Sequence, residues 1–365
     1  MAETVVLSGG GTAGHINPAI ALAERLIEDG FDVRFAGTPG GIESRLVPEA
    51  GIDFRPFEAK GFDRKKPWTL LTGSAIIARS TGQAKEWFKE IRPACVVGFG
   101  GYVSIPVTRA ANAMGIPVVV HEQNSVMGMA NKSAAKKASA VCLTYPLPEG
   151  MDPSWKVIGN PVRRAVMEAS RSEGRSYLGI PEDATVLVVF GGSLGARHIN
   201  QAIAAMKDDL LAVDGLHIVH IAGKGDFTRT EEELSLTEEQ SARWHLKEYE
   251  NNMGAVLAAA DAVVSRAGAT SLAEIAARRI PAVLVPYPFA RGDHQTLNAR
   301  SYASEGAAYV IADADVEGEE FRQAVMELAT DPAARERMHS ASDSGSSEDA
   351  ASALADVVKA FAEQA

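Results

Sequence analysis

Two similar stretches decide the fold: TVVLSGGGTAGHINPAIALAERL at residues 4–26 and TVLVVFGGSLGARHINQAIAAMKDDL at residues 185–210. Each has the pattern of a buried strand, a glycine-rich turn and a helix, and the tripeptide HIN follows both turns. The shared order of these elements indicates that a Rossmann-like unit has been duplicated.

Short β-branched runs alternate with helical patterns along the whole chain. This alternation is typical of α/β proteins whose parallel strands are buried in doubly wound sheets. The predicted strands are Thr4–Leu7, Asp32–Ala36, Cys95–Gly98, Pro117–His121, Ala140–Thr144, Lys156–Ile158, Thr185–Phe190, His217–Ala222, Leu246–Tyr249, Ala262–Ser265, Ala282–Pro286 and Ala307–Ile311.

Length and composition narrow the class of protein. A chain of 365 residues exceeds what one core usually serves, so we expect two domains. The net charge of −11 argues against nucleic-acid binding. The start has no signal-peptide pattern and no apolar window is long enough to span a bilayer, which predicts a cytoplasmic protein. Cys95 and Cys142 lie in apolar runs and are expected to be buried, reduced thiols.

Two polar stretches lie in the second half of the chain. The segment Arg171–Arg175 lies just past the expected domain junction, and SASDSGSSEDA at 340–350 precedes an amphipathic terminal helix. Both have the composition of flexible connections.

The first glycine turn is Gly9-x-Gly11-x-x-Gly14, the spacing of a dinucleotide-binding fingerprint. A dinucleotide site also needs an acidic residue about 20 positions on, at the end of the second strand, for the ribose; the sequence there is VRFAGTPGG at 33–41, with no acid before Glu43. A Walker lysine motif is absent as well. The turn is therefore expected to present backbone N–H groups to another phosphate or developing anion.

Seven motifs in a fixed order together resemble the MurG family of N-acetylglucosaminyltransferases. They are GGGTAGH (9–15), GFGGYVS (98–104), HEQN (121–124), GNPVR (159–163), GGSLGA (191–196), SRAGATSLAEI (265–275) and DHQTLNA (293–299). The resemblance implies a GT-B fold, in which two Rossmann-like doubly wound domains face an interdomain cleft. It implies that residues 1–162, together with the terminal helix 350–365, form the domain that binds the acceptor and faces the membrane. Residues 163–345 would form the domain that binds UDP-GlcNAc.

The reaction implied by the resemblance is an inverting transfer of GlcNAc from UDP-GlcNAc. The acceptor would be the 4-hydroxyl of MurNAc in lipid I, undecaprenyl-pyrophosphoryl-MurNAc-pentapeptide, and the product lipid II. Two alternatives stay open: a GT-B transferase acting on another lipid acceptor, and a UDP-GlcNAc epimerase. Cell-wall synthesis proteins are the expected protein partners.

Donor-binding residues follow from the resemblance, each with a simpler structural role beside it. Ser193 and Arg163 would contact the diphosphate, but Ser193 could be a helix N-cap and Arg163 a paired linker residue. Glu274 would bind the ribose, although Ser271 and Glu274 also form a capping-box pattern. His294 and Gln295 would bind the sugar, or merely start a helix after Asp293. Further expected donor contacts are Thr12, Ala13, Gly14, Asn124, Ala269, Thr270 and Ser271.

His15 is the predicted catalytic base. It follows a glycine turn just ahead of a helix, and a helix N-terminus favours the neutral imidazole that can accept a proton. Glu122 in HEQN is the second candidate for this role.

No essential metal or other cofactor is expected. Asp313-Ala314-Asp315 has the D-x-D pattern that some glycosyltransferases use for a metal, but its place after a late strand favours helix capping.

The segment Arg64–Glu90 is predicted to touch an anionic membrane. Residues 60–92 contain eight Lys/Arg against three Asp/Glu. Lys and Arg side chains beside tryptophans are typical of contact with a lipid headgroup layer. The alternative is an ordinary helix pair whose aromatic residues lie in the core. The expected contacts, at the cytoplasmic face of the cell membrane, are Arg64, Lys65, Lys66, Trp68 and Trp87.

Overall fold

The protein is built on two parallel sheets, each within its own unit of the chain. The computed structural model describes residues 2–61, 68–147, 150–192, 195–342 and 349–363, with the side chains of 68–71 outside that description. One unit is Met1–Arg163 with Glu348–Ala365, here the N-terminal domain, and the other is Arg164–Ser347, the C-terminal domain.

The strands of the described residues are all paired in parallel. The N-terminal sheet contains β1 Thr4–Gly9, β2 Asp32–Gly37, β3 Asp53–Pro56, β4 Cys95–Gly100, β5 Val118–Glu122, β6 Ala140–Leu143 and β7 Lys156–Val157. The C-terminal sheet contains β8 Thr185–Phe190, β9 Leu216–Ile221, β10 Trp244–Lys247, β11 Ala262–Ser265, β12 Ala282–Leu284 and β13 Ala308–Val310.

Helices connect the strands and cover the sheets. The N-terminal domain has α1 Ala13–Glu28, α2 Glu43–Glu49, α3 Trp68–Ile91, α4 Ser104–Ala113 and α5 Met129–Ala135. The C-terminal domain has α6 Arg164–Glu168, α7 Arg171–Leu178, α8 Arg197–Ala205, α9 Lys207–Leu211, α10 Phe227–Leu234, α11 Glu238–Ser241, α12 Met253–Ala259, α13 Ala269–Ala277, α14 His294–Ala303, α15 Glu319–Thr330 and α16 Pro332–Ala341. The last helix, α17 Ala350–Ala362, returns to the N-terminal domain.

Both sheets have the same strand order around their first strand. The orders are β3-β2-β1-β4-β5-β6-β7 and β10-β9-β8-β11-β12-β13. In each sheet the order therefore reverses beside the first strand, between β1 and β4 and between β8 and β11. The duplicated Rossmann-like unit expected from the sequence is confirmed by this topology.

Apolar side chains cover both faces of the N-terminal sheet. Val5 and Leu7 of β1 pack on one side with α1 and α17, while Val6 packs on the other side with α3 and α4. An ion pair of 2.9 Å between Lys359 Nζ and Asp29 Oδ2 also ties α17 to the end of α1. Cys95 and Cys142 are buried and free, as predicted, and burial raises the pKa of both thiols to about 12.

Two local predictions are wrong. Strand β3 was not expected because its side chains are mostly exposed at the edge of the sheet, so the sequence has no apolar run there. The polar stretch Arg171–Arg175 is not a flexible connection but the start of α7, where Ser170 and Glu173 form a capping box. Arg175 is fully buried because Asp261 and the carbonyls of Pro181 and Glu182 accept its N–H groups. Six residues of the second stretch, 343–348, lie outside the described residues.

Two stacked histidines lie at the edge of the C-terminal sheet. The His217 and His245 rings are 5.5 Å apart, with Nδ1 of the first 3.2 Å from Nε2 of the second. Burial, with the charges of His217 and Lys247, lowers the pKa of His245 to about 4. Burial, with Arg243 and Arg175, also lowers the pKa of His217.

These depressed pKa values predict acid sensitivity. Between pH 6.5 and about 4 the unfolded chain binds a proton that folded His245 does not, so stability falls as pH decreases through this window. The urea-unfolding midpoint should drop between pH 7 and pH 5 in the native protein. His245→Phe, which keeps the stacked ring, should reduce that drop.

His339→Phe, at an exposed position of α16, is the matched control and should retain the full drop. Equal pH dependence in the native protein and His245→Phe would contradict the assignment.

Candidate active site

The carboxyl ends of β1 and β4 carry the candidate site of the N-terminal domain. Because the strand order reverses between these two strands, the segments that follow them diverge and leave room at the edge of the sheet. The glycine turn Gly9–Thr12 follows β1 and leads into α1, whereas Gly101–Val103 follows β4 and leads into α4. His15 lies at the third position of α1, which begins at Ala13.

The His15 imidazole is held from one side. Its Nδ1 lies 2.8 Å from Oε1 of Gln123, at the end of β5. A Cβ at Gly100 would stand 3.2 Å from the imidazole Cε1, and Gly100 has a φ of +102°. The ring therefore packs against bare backbone that few other residues could provide. In the described part of the chain, nothing hydrogen-bonds to Nε2 of His15.

Glu122 does not fit the role of a base. Its side chain is buried, and Oε1 accepts from the backbone N–H and the side-chain amide of Asn124. Oε2 accepts from the N–H of Gly128 at 2.9 Å and from Asn131 Nδ2 at 2.9 Å. The carboxylate thus organises the loop after β5, and Asn124 is one of the groups that it holds.

Thr12, Ala13 and Gly14 form the start of α1. Thr12 is the N-cap, and its side chain makes no capping bond. Glu43 lies beneath this turn, fully buried, and accepts from the N–H of Gly11 at 3.4 Å and from the N–H and hydroxyl of Thr38. An internal carboxylate thus occupies one N–H of the turn, a second reason against a dinucleotide there.

Arg163 is paired within the N-terminal domain. Its Nε and Nη2 both lie 3.2 Å from Oε1 of Glu24 on α1. Glu24 is nine residues after His15, which places it about 13.5 Å farther along the helix. The structure thus shows Arg163 in the alternative role, an arginine paired near the junction, and its diphosphate contact stays a prediction.

The candidate site of the C-terminal domain lies at the carboxyl ends of β8 and β11, where that sheet reverses its order. Gly191, Gly192 and Gly195 belong to the turn after β8, and a Cβ at Gly191 would collide with the backbone N of Ala196. Ser193 lies outside the described residues. Helix α8 begins at Arg197 with Ala196 as its N-cap, so Ser193 does not have the alternative N-cap role.

Helix α13 begins three residues before the expected capping box. Its N-cap is Gly268, with no side-chain cap, and Ala269, Thr270 and Ser271 form the first turn. Ser271 therefore cannot cap the helix, and the capping-box role of Glu274 is wrong. Glu274 lies on the following turn and is buried. The uncapped N-terminus directs backbone N–H groups and the positive end of the helix dipole toward the carboxyl edge of the sheet.

Gln295 connects the loops after β11 and β12. Its Oε1 accepts from the N–H of Ala267 at 3.2 Å and from the N–H of Tyr287 at 2.9 Å. Because both partners are donors, the amide NH₂ group is the end that remains for a ligand. His294 begins α14, as the alternative role predicted, and its Nδ1 donates to the Arg291 carbonyl at 2.9 Å.

The sequence did not reveal a cluster in which buried Asp313, after β13, contacts buried Arg266, after β11, and the exposed His198 of α8. Asp313 Oδ1 pairs with Arg266 at 2.5 Å, and Oδ2 lies 2.6 Å from Nδ1 of His198. The predicted helix-capping role of Asp313 is therefore wrong: Ala312 is the N-cap. Asp313 is buried and Asp315 is exposed, so the two acidic groups have different surroundings. Among the described residues, no group of three or more His, Cys, Asp or Glu is placed to hold a metal.

The proposed membrane segment is only partly described. Arg64, Lys65 and Lys66 lie outside the described residues, as does the side chain of Trp68 at the start of α3. Trp87 is a core residue, because its ring packs 5.6 Å from those of Phe57 and Phe88. Its predicted membrane contact is therefore wrong. No described helix has the length and apolar character needed to cross a bilayer.

A basic groove lies between α4 and α5 in the same domain. Its volume is about 340 Å³, and Arg109, Lys136 and Lys137 line it. These three side chains are exposed, and no acidic residue in the described ranges pairs with them. Since α4 packs beside α3, the groove lies on the same face of the sheet as α3.

Comparison with known proteins defines the class. Residues 5–143 match the glycosyltransferase family 28 N-terminal domain, and residues 186–357 match the glycosyltransferase family 28 C-terminal domain. The protein is therefore a glycosyltransferase of the GT-B fold class.

The most similar relatives give a narrower assignment. Two of them bear the name UDP-N-acetylglucosamine--N-acetylmuramyl-(pentapeptide) pyrophosphoryl-undecaprenol N-acetylglucosamine transferase. The protein from Halothermothrix orenii is 37% identical over 90% of each chain, and that from Clavibacter michiganensis subsp. michiganensis is 38% identical over 97% of this chain and 95% of its own. The crystal structure of Acinetobacter baumannii MurG has a TM-score of 0.73 at 26% identity, covering 98% of this chain and 99% of its own. The chain belongs to the MurG family.

Proposed function

We propose that the protein transfers GlcNAc from UDP-GlcNAc to the 4-hydroxyl of MurNAc in lipid I and so forms lipid II, with inversion at the anomeric carbon. The relatives at 37% and 38% identity are named for this transfer. Their names favour it over the two alternatives, a transferase acting on another lipid acceptor and a UDP-GlcNAc epimerase. One structural observation carries the mechanism: His15 is anchored through Nδ1 while Nε2 has no partner in the described chain.

His15 acts as the general base. Its Nε2 takes the proton of the acceptor hydroxyl as that oxygen attacks the anomeric carbon. The bond between the anomeric carbon and the diphosphate oxygen breaks, and UDP leaves with the electron pair. An attack opposite to the leaving group inverts the configuration at this carbon.

The C-terminal domain holds the donor. Three features at the carboxyl edge of its sheet suit a nucleotide diphosphate sugar: the glycine turn after β8, the start of α13 without a side-chain cap, and the amide NH₂ of Gln295, which has no acceptor among the described residues. We assign the diphosphate to the glycine turn with Ser193, the ribose to Glu274 beside Ala269, Thr270 and Ser271, and the sugar to His294 and Gln295. Preorganised N–H groups then stabilise the charge that develops on UDP.

The N-terminal domain supplies the acceptor side. Thr12, Ala13, Gly14 and Asn124 surround the same sheet edge as His15, so we assign them to the transferred sugar as it meets the acceptor. Among the described residues at this edge, the Glu122 carboxylate is occupied by its own loop, which leaves His15 as the base in this proposal.

The protein binds peripherally to the cytoplasmic face of the cell membrane, where the lipid-anchored acceptor lies. Arg64, Lys65 and Lys66 directly precede Trp68, the first residue of α3, in the sequence, and α3 packs beside α4, which lines the groove with Arg109 while Lys136 and Lys137 line its other side. Anionic headgroups attract unpaired basic side chains by about 1 kcal/mol each. Binding to other cell-wall synthesis proteins stays a prediction.

His15→Ala tests the base. Turnover, measured as UDP release that depends on a short-chain lipid I analogue, should fall by about 10²–10⁴-fold. The acidic limb of the turnover–pH profile should disappear, because no imidazole then needs to be deprotonated. UDP binding should be unchanged. Near-normal turnover, or an unmoved acidic limb, would assign the proton transfer to another group.

Gln295→Glu tests the donor site. The carboxylate keeps the acceptor for the N–H groups of Ala267 and Tyr287 but removes the outward NH₂ donor. The KM for UDP-GlcNAc should rise about tenfold, the value of one lost hydrogen bond of roughly 1.4 kcal/mol, while the thermal midpoint stays the same. Gln323→Glu on the exposed face of α15 is the control for the charge change. An unchanged KM in Gln295→Glu would remove this residue from the site.

Vesicle sedimentation tests the membrane surface. Replacing Arg64, Lys65 and Lys66 by Ser, or Arg109, Lys136 and Lys137 by Ser, should each weaken binding to anionic vesicles by about 100-fold at low salt, since three charges contribute about 3 kcal/mol. Turnover on a water-soluble acceptor analogue should stay unchanged.

The matched control removes three basic residues from the C-terminal domain: Lys224, Arg229 and Arg300. This variant should sediment like the native protein. Equal sedimentation of all four proteins would overturn the membrane assignment.

A further inference from the structure

A line of hydrogen bonds runs from the backbone of Gly159 to His15. Nε2 of His121 lies 3.0 Å from the Gly159 carbonyl oxygen, and Nδ1 of His121 lies 3.1 Å from Nε2 of Gln123. Nε2 of Gln123 also lies 3.0 Å from the His121 carbonyl oxygen, and Oε1 of Gln123 lies 2.8 Å from Nδ1 of His15. Each group in this series determines whether the next group donates or accepts its hydrogen bond.

The first constraint acts on His121. A carbonyl oxygen can only accept, so Nε2 of His121 carries the proton and donates to Gly159. Burial lowers the pKa of His121 to about 4, outweighing the Gly159 carbonyl and Glu122, so the ring is neutral at pH 7. Nδ1 of His121 is therefore an acceptor.

The second constraint orients the amide of Gln123. Its nitrogen faces two acceptors, the His121 carbonyl and the His121 Nδ1, and each receives one of its two hydrogens. The amide oxygen consequently faces His15. An oxygen at 2.8 Å can only accept, so Nδ1 of His15 must donate.

We propose that Gln123, oriented by His121, is a positioning residue that fixes His15 in the tautomer with hydrogen on Nδ1 and the lone pair on Nε2. This inference rests on the proposed function, in which Nε2 takes the acceptor proton. When His15 becomes the imidazolium, Nδ1 still donates to the same amide oxygen, so proton transfer needs no rearrangement behind the ring.

A neutral partner suits a histidine that must release the proton again. A carboxylate at this place would stabilise the imidazolium and hold the proton. The titratable groups on the elements around His15 are Glu43 beneath the glycine turn and His121 and Glu122 at the end of β5. The carboxylates of both acids accept hydrogen bonds from their own loops.

Long-range ¹H–¹⁵N spectra of the histidine-labelled full-length protein measure the tautomer directly, because protonated and bare ring nitrogens have well-separated shifts. His15→Ala assigns the His15 signals. Above the pH at which His15 titrates, the native protein should show hydrogen on Nδ1. Hydrogen on Nε2 in the native protein would overturn the proposal without any variant.

Two substitutions at one position then separate the roles. Gln123→Met removes the acceptor at similar volume, so His15 should populate both tautomers and turnover should fall by about tenfold or more, within the 10⁴-fold known for a wrong tautomer. The KM for UDP-GlcNAc should not change. Gln123→Glu should restore hydrogen on Nδ1 and move the acidic limb of turnover to higher pH by about one unit or more. Gln323→Met is the control for the loss of a glutamine.

The results distinguish this inference from the proposed function. If Gln123→Met leaves His15 in the native tautomer, the positioning role is wrong even if His15→Ala is inactive. If the tautomer changes as expected but His15→Ala and Gln123→Met both turn over normally, the positioning is real and the base assignment is wrong.

Discussion

The reversal of strand order beside the first strand of each sheet is the constraint on which the rest of the structure depends. Parallel strands place the start of every following helix at one edge of the sheet, and the reversal separates two neighbouring connections there. In the N-terminal domain this brings His15 after β1 beside the end of β5, although 108 residues separate it from Gln123. In the C-terminal domain it brings the glycine turn and the start of α13 to one edge.

Polar side chains, of which Glu122 and Glu43 are buried, hold the loops at these edges. Glu122, Glu43 and Gln295 each accept two or more hydrogen bonds from the N–H groups or side chains of loop residues. An N–H left unpaired in such a place would cost about 1–3 kcal/mol, so these contacts fix the loop conformations.

The duplicated halves have diverged at the same tripeptide. His15 faces the neutral amide of Gln123, whereas His198 faces the carboxylate of Asp313, which also pairs with Arg266. A protonated ring forms an ion pair in the second case but not in the first. The first arrangement therefore suits reversible proton transfer and the second suits a fixed polar contact.

Much of this architecture could be predicted from the sequence. Buried parallel strands appear as continuous apolar runs, and glycine turns need backbone conformations that glycine favours, so the class of fold, the duplication and the family motifs were all visible. Strand β3 and buried Arg175 were missed, because an exposed edge strand and a buried arginine both resemble loops in sequence.

By itself, the sequence determined which residue types stand at the ends of the strands, including His15 and the HEQN segment. Only the tertiary structure decided what each of them contacts. It assigned Glu122 to its loop, Arg163 to Glu24, Trp87 to the core and Gln123 to His15. Hydrogen-bond partners far apart in the chain are chosen by strand order and loop packing, and no local pattern of residues records that choice.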